Sequence, residues 1–428
     1  MTVGASTSPA AAAPPIWRNR AAWAVIADLL AVMIAVTLPW STSLVAIYAV
    51  AWLVVAGPMF DFAALARSLR RPVNALPIAL FALAAVGTLW SVAPWAERLH
   101  ALGPAGKLLM LPLLIHHFGR SSRGLWVFVG FLASCTLLML LSWGVAIDPR
   151  LALKSEAEYG VPVKNYIDQS QSFGLCAVAL GYPVIVSLRH RKFAAAAVLA
   201  AIAASLLANM IFVVISRTAL IAIPLMLGVF ALLHLGWRGR VASLCAVVVL
   251  AGGAWLASPR LQATTGSFLS QYNQYERIKD ASSMDLRLAF WRKSLDFLAE
   301  APLLGHGTGA IRGLFERAAV GQEGAAAAVV ANPHNQTLNV AVQWGTVGVA
   351  VLCAMWLVHL LLFRGDDLAS WIGLLVVVQN VVSSLFNSHL FDFHEGWMYV
   401  LGVGVAGGMV ARARAAKAAA PAVCSIRT

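Results

Sequence analysis

Charge is scarce in this chain. Of 428 residues, 11% are charged and 60% are hydrophobic, whereas a soluble domain of this length would carry roughly a quarter charged residues. The deficit excludes an ordinary soluble globular protein. Cysteine is scarce as well. Cys135, Cys176, Cys245 and Cys353 lie in apolar runs and Cys424 in the tail, none at metal-ligand spacing and none placed for an extramembrane disulfide. The four in the runs read as small hydrophobes. No His-x-x-x-His, Asp-x-Asp or Cys-x-x-Cys pattern is present, so no metal site and no cofactor is expected. Inverted repeats with matched Gly/Pro-broken helices are missing. The first apolar run ends near Pro39-Trp40 without a small-residue cleavage site, so it reads as a retained helix preceded by Arg18 and Arg20, not as a removed signal peptide.

What is present is a series of continuous apolar runs of about 17–22 residues, long enough to cross a bilayer core. A transmembrane barrel would need short alternating strands instead. The expected fold is all-α, a polytopic membrane protein with about twelve transmembrane helices and a large helical loop. The net charge of +13 is gathered largely in short loops, such as Arg67-Arg70-Arg71, Arg120-Arg123 and Arg189 to Lys192, and in a tail with Arg412, Arg414 and Lys417. Such loops mark the cytoplasmic side and touch anionic membrane lipids, and nucleic acid is not an expected partner. The organisation that follows is a tail over 1–20, helices one to nine over 21–257 with an outer segment near 147–172, a large outer loop over 258–345, helices ten to twelve over 346–411, and a basic tail over 412–428. Both termini are then cytoplasmic. Glu97 to Lys107 is expected as a short outer connection. Asp28 lies in the first span, where an acid is a functional candidate unless it reaches the interface.

The large loop concentrates the polar chemistry. Arg217, Arg260, Arg277, Lys279, Arg287, Arg292 and Lys293 are basic residues on the outer side, where topology does not require them; such residues suit a phosphate or diphosphate. Arg217 sits in a hinge between two apolar runs, either as an interfacial anchor or as a ligand grip. Arg287 belongs to a helix through Asp285, Trp291 and Leu295, either on a solvated face or toward an anion. The glycines of Pro302-Leu-Leu-Gly305-His-Gly307-Thr-Gly309 can form a nest of N–H groups or a plain connector. In Asn332-Pro333-His334-Asn335-Gln336, Asn332 would cap a helix with Pro333 at its first position, placing His334 in the first turn. The positive end of a helix favours a neutral imidazole, as a general base requires; a structural His completing the cap is the other reading. His306, His389 and His394 are weaker rivals.

In their order and spacing, these residues resemble the bacterial O-antigen ligases, whose superfamily also holds O-antigen polymerases and O-linked protein oligosaccharyltransferases. The resemblance is carried by Ser216-Arg217-Thr218, Arg287-x-x-x-Trp291, Pro302-Leu-Leu-Gly305-x-Gly307-x-Gly309, Pro333-His334-Asn335-x-x-Leu338 and Trp344-Gly345-x-x-Gly348, with Leu89-Trp90-Ser91 earlier. It implies a GT-C-like, metal-independent, inverting glycosyltransferase of the bacterial inner membrane with a periplasmic active site. Arg217 and Arg287 would grip the diphosphate of an undecaprenyl-diphosphate-linked O-antigen, and His334 would be the base on a hydroxyl of the lipid A–core oligosaccharide acceptor. Asn335, Arg292, Arg150, Lys164 and Asp392 are candidate secondary contacts. A polymerase or protein-glycosylating enzyme of the same superfamily, and a lipid or glycan transporter, are the alternatives.

Overall fold

The computed structural model describes residues 20–154, 158–214, 216–263, 266 and 283–419. Arg18, Tyr275, Arg277, Lys279 and Cys424 lie outside them. Among the described residues the regular structure is all helical. In chain order the helices are α1 (Arg20–Thr37), α2 (Thr42–Ala56), α3 (Phe62–Leu69), α4 (Pro72–Val86), α5 (Trp95–Gly106), α6 (Met110–Phe118), α7 (Gly124–Ile147), α8 (Tyr166–Ala179), α9 (Gly181–Arg189), α10 (Phe193–Phe212), α11 (Arg217–His234), α12 (Trp237–Ala257), α13 (Ser283–Glu300), α14 (Ile311–Ala319), α15 (Gln336–Leu362), α16 (Leu368–Ser383) and α17 (Phe393–Ala419).

Among the described residues, eight stretches are long and apolar enough to cross a membrane, and nine if α3 and α4, bent by 82°, form one span. α11 and α16 are apolar but shorter, and α17 runs for 27 residues. The protein is therefore a multi-pass membrane protein. Polar side chains set several helix starts: Ser41 accepts from Leu44 N–H, Asp61 from Ala64 N–H, and Asp367 from Ser370 N–H, each satisfying an N–H that has no partner within its helix.

Two sequence expectations change here. Glu97 to Lys107 is not a connection: α5, the 3-10 turn Lys107–Leu109 and α6 form one 24-residue stretch, about 36 Å long. Two of the charges that depress its hydropathy are used internally. Arg98 donates to Ala93 O at 2.6 Å and Thr88 O at 2.7 Å, and Lys107 donates to Phe391 O at 3.0 Å and to Asp392 O. Likewise α8 begins at Tyr166, inside the expected outer segment, because Asn165 caps Ile167 and Asp168 N–H at 2.9 Å each.

The main core packs α1, α2, α4, α6, α7, α15, α16 and α17 around Trp52, Trp344, Trp371 and Tyr399. Asp28 is buried in it and does not reach solvent. Its carboxylate accepts from His117 Nε2 at 2.8 Å and Arg123 at 3.3 Å, so the intramembrane acid is a paired structural charge. It lies by the far end of the α5–α6 stretch, away from Glu97.

The glycine segment is a mechanical lock. Gly305, Gly307 and Gly309 have φ of +63°, +85° and +84°, the left-handed region that favours glycine. Their neighbourhood uses the N–H groups that an anion nest would need: His306 N–H donates to Val342 O, Gly307 N–H to Gln343 O (both 2.9 Å), Thr308 N–H to Gly87 O, and Gly309 N–H to Gln343 Oε1. The nest reading is overturned. On one side the segment satisfies the carbonyls freed where α15 kinks at Trp344 and Gly345. On the other it grips the end of α4, with Ser91 Oγ donating to Thr308 O, Trp90 Nε1 to Leu304 O, and Thr308 Oγ1 to Ala84 O.

A Cβ at Gly307 would stand 2.2 Å from Ser91 Cα, whereas one at Gly313 in α14 meets nothing within 4 Å. Gly307→Ala must move backbone, so it should destabilise the protein by about 1–3 kcal/mol or more and lower its melting midpoint in detergent. Gly313→Ala should be neutral or stabilising by up to about 1 kcal/mol, measured in the same scan.

Candidate active site

The start of α15 differs in register from the sequence expectation. Asn335, not Asn332, is the cap: its Oδ1 accepts from Leu338 N–H at 3.0 Å, and the helix begins at Gln336. His334 therefore precedes the helix, with φ +53°. Pro333 disfavours a helical Asn332. Asn332 instead closes a local turn, its Oδ1 accepting from His334 N–H at 2.9 Å and from Ser388 Oγ at 2.7 Å. A non-glycine residue in this backbone region is costly and is held only by its surroundings.

Those surroundings are the turn between α16 and α17. Gln336 N–H donates to Ser384 O at 2.9 Å, Asn335 Nδ2 to Leu385 O at 3.1 Å, and Leu390 N–H to Gln336 Oε1 at 3.0 Å. The turn also presents Asn387 to the catalytic candidate, with Asn387 Oδ1 3.0 Å from His334 Nδ1. Asn387 Nδ2 in turn donates to Asp392 Oδ2 at 2.9 Å. The His334 ring lies 6.3 Å from that of Phe290 on α13.

Arg287 is on the same helix as Phe290, three residues earlier, hence on a neighbouring part of one face. Burial, reinforced by the Arg217 guanidinium, lowers its pKa from the ordinary arginine value, with Tyr166 acting oppositely. Arg287 in turn acts on His389. The fold thus brings Arg217, Arg287, His389 and the His334–Asn387 pair into one electrostatic neighbourhood. α13 is docked there by a small core of its own, Phe290, Phe297, Ile311, Leu314 and Phe315 against Val342 of α15. Lys293 is engaged in that packing, donating to Ala326 O and lying 5.6 Å from the Phe315 ring centroid.

The secondary candidates separate. Asp392 joins the cluster through Asn387. Asn335 is occupied as the helix cap. Lys164 Nζ donates to Leu38 O at 2.6 Å, just past α1, and lies 3.4 Å from His394 Nδ1; His394 Nε2 is 2.7 Å from Ser172 Oγ. Arg292 is exposed on α13, about 140° around the helix from Arg287. Arg150 is exposed in the turn Pro149–Leu151, and among the described residues none of its contacts reaches His334 or the two arginines. Asn387, Tyr166 and Lys107 were missed by sequence reasoning; the polar character of 387–395 was a visible signal, its pairing with His334 was not. Of the rival histidines, His306 is engaged with Phe297 O at 2.8 Å.

Ligand atoms of His389, Asp392 and Glu395 lie within 4.8 Å of one another, a spacing that could hold a cation; Lys107 already places its side-chain nitrogen beside Asp392 and Glu395. Burial raises the Asp392 carboxyl to about 6, against the pull of Lys107. Burial, with His394 and Arg287 nearby, pushes the His389 imidazole down to about 3 from 6.5. Between those two values the unfolded chain binds a proton at His389 that the folded protein does not, so this group's contribution to stability falls as pH falls below 6.5. Asp392 works in the opposite sense between its unfolded value and 6, equally in both proteins compared below. Removing the imidazole with His389→Gln should make the melting midpoint less acid-sensitive than that of wild type. The stability difference should shift in the variant's favour by up to about 1.4 kcal/mol per pH unit on going from pH 6.5 toward 4, read from thermal melts in detergent at each pH.

Residues 202–353 match the family model described as O-antigen ligase. No curated protein matches the chain. The matched span includes Arg217, Arg287, the glycine lock, His334 and the kink of α15, and members of the family are glycosyltransferase-like enzymes. Together with its many apolar helices, this match over part of the chain supports membership of the O-antigen ligase superfamily.

Proposed function

We propose that the protein is an O-antigen ligase of the bacterial inner membrane. It transfers O-antigen polysaccharide from undecaprenyl diphosphate to a sugar hydroxyl of lipid A–core oligosaccharide, with the site facing the periplasm and both termini cytoplasmic. The observation that carries the reading is the proximity of two guanidinium groups, Arg217 and Arg287, in the neighbourhood of a histidine held in an unfavourable backbone state. Two like charges, one of them half-buried, repel each other, and a diphosphate relieves that repulsion while accepting charge-assisted hydrogen bonds. Arg217 opens α11, so the positive end of that helix adds to the same field. An apolar cavity of about 240 Å³ bordered by Leu38, Phe131, Leu175, Val376 and Met398 suits part of an isoprenoid tail.

In the reaction His334 takes the proton of the acceptor hydroxyl as its oxygen forms a bond to the anomeric carbon. The bond from that carbon to the diphosphate oxygen breaks, and its electron pair leaves with the lipid diphosphate. One displacement inverts the anomeric centre. The arginines stabilise the charge that builds on the leaving group, a role that requires no metal in this scheme. A general base contributes about 10²–10⁴-fold.

The test uses purified protein, undecaprenyl-diphosphate glycan, a rough lipopolysaccharide acceptor and a chelator, with donor binding measured in parallel. Wild type should form smooth lipopolysaccharide. His334→Ala should bind donor and lose turnover by at least about 10²-fold, and Arg287→Ala should weaken donor binding by about 10–100-fold. Near-normal turnover by His334→Ala would make that residue a structural turn and remove the base mechanism. If wild type only lengthens the lipid-linked glycan, the protein is a polymerase, and donor binding without any turnover points to a transporter.

A further inference from the structure

We propose that Asn387 is a positioning residue that fixes His334 as the Nδ1–H tautomer and so leaves Nε2 as the basic nitrogen. This rests on the reading of His334 as general base. The ionised Asp392 carboxylate only accepts hydrogen bonds, and it lies 2.9 Å from Asn387 Nδ2. That contact selects the amide orientation, with the NH₂ toward Asp392 and the carbonyl oxygen toward His334 Nδ1 at 3.0 Å. Asn332 Nδ2, 3.5 Å from the same oxygen, is a second donor on that side and agrees with it. A carbonyl oxygen cannot donate, so Nδ1 must carry the proton. Among the described residues no hydrogen bond occupies Nε2. The same turn holds the histidine backbone, since Ser388 Oγ donates to the Asn332 oxygen that also accepts His334 N–H. Ring orientation, tautomer and backbone state are therefore set together by a segment more than fifty residues downstream in the sequence.

When His334 takes a proton at Nε2, the cation keeps its Nδ1–H donated to Asn387 Oδ1, and no further proton moves along the chain to Asp392. The tautomer is also what a purely structural contact would not need to control: a neutral imidazole in either form could fill the same space.

The experiment measures nitrogen chemical shifts of ¹⁵N-histidine-labelled full-length protein in detergent at pH 8, with His334→Gln assigning the signals, alongside kcat and donor affinity. Wild type should show Nδ1–H at His334. Asn387→Ala should give a tautomer mixture and a kcat at least about tenfold lower, with donor affinity unchanged. Asn387→Asp alone sets two carboxylates against each other and should be poor. The exchange Asn387→Asp with Asp392→Asn restores an acceptor for Nδ1–H and a donor behind it, and should exceed both single variants. Should Asn387→Ala not fold, Asp392→Ala frees the amide to turn and must give the same mixture. An unchanged Nδ1–H form in these variants, or an exchange no better than Asn387→Asp, overturns the proposal. If His334→Ala is inactive while Asn387→Ala keeps full kcat, this inference fails and the base reading stands; an active His334→Ala defeats the base reading itself.

Discussion

The structure depends on one lock. At residues 305–309 the chain passes between the kink of α15 and the turn that ends α4, and glycines allow the two backbones to come together. The kink at Trp344–Gly345 breaks helical hydrogen bonding in the middle of an apolar helix, where no solvent can replace it. The glycine segment returns donors to Val342 and Gln343, and Trp344 Nε1 finds Thr308 Oγ1 at 2.9 Å. Because the segment joins α13 to α14, satisfying the kink also fixes α13, and with it Arg287 and Phe290, against the start of α15. Arg287 and His334, the proposed grip and base, are thus positioned by a backbone contact that touches neither.

Burial explains the second layer. The cluster beneath His334 contains Asp392, Glu395, His389, His394, Lys107 and Lys164, more ionisable groups than a membrane core tolerates unless they are paired. The pairing is done across helices: Lys107 from the α5–α6 stretch onto the α16–α17 turn, and Lys164 from the approach to α8 onto Leu38. Each such contact costs desolvation, so each is strongly specified. The Asn387–Asp392 contact lies within the α16–α17 turn itself and stiffens it, so that this polar turn can hold a strained histidine in place.

Several features were legible in the residues. The scarcity of charge and the length of the apolar runs gave a polytopic helical protein, and the triad of Arg217, Arg287 and His334 was visible as polar residues with no topological purpose. Other features were not. The cap at Asn335 lost to a more familiar Asn-Pro start, because Asn332 has a tertiary partner in Ser388 that no local rule contains. The glycines left an anion nest open beside a plain connector because nothing local shows that their neighbouring N–H groups are already used. Lys107 looked like a loop marker because the acceptors that draw it inward lie on another helix.

By itself, then, the sequence determined the membrane class, most helices and the candidate polar residues, since hydropathy and side-chain type are local properties. Only the tertiary structure decided which of them meet. It placed Arg287 by Arg217, left Arg150 exposed apart from them, used Asn335 as a helix cap, and brought Asn387 to His334. Those outcomes depend on hydrogen bonds and charge pairs between segments far apart in the chain, and such pairs form only where the packed helices exclude water and leave each buried polar atom one partner within reach.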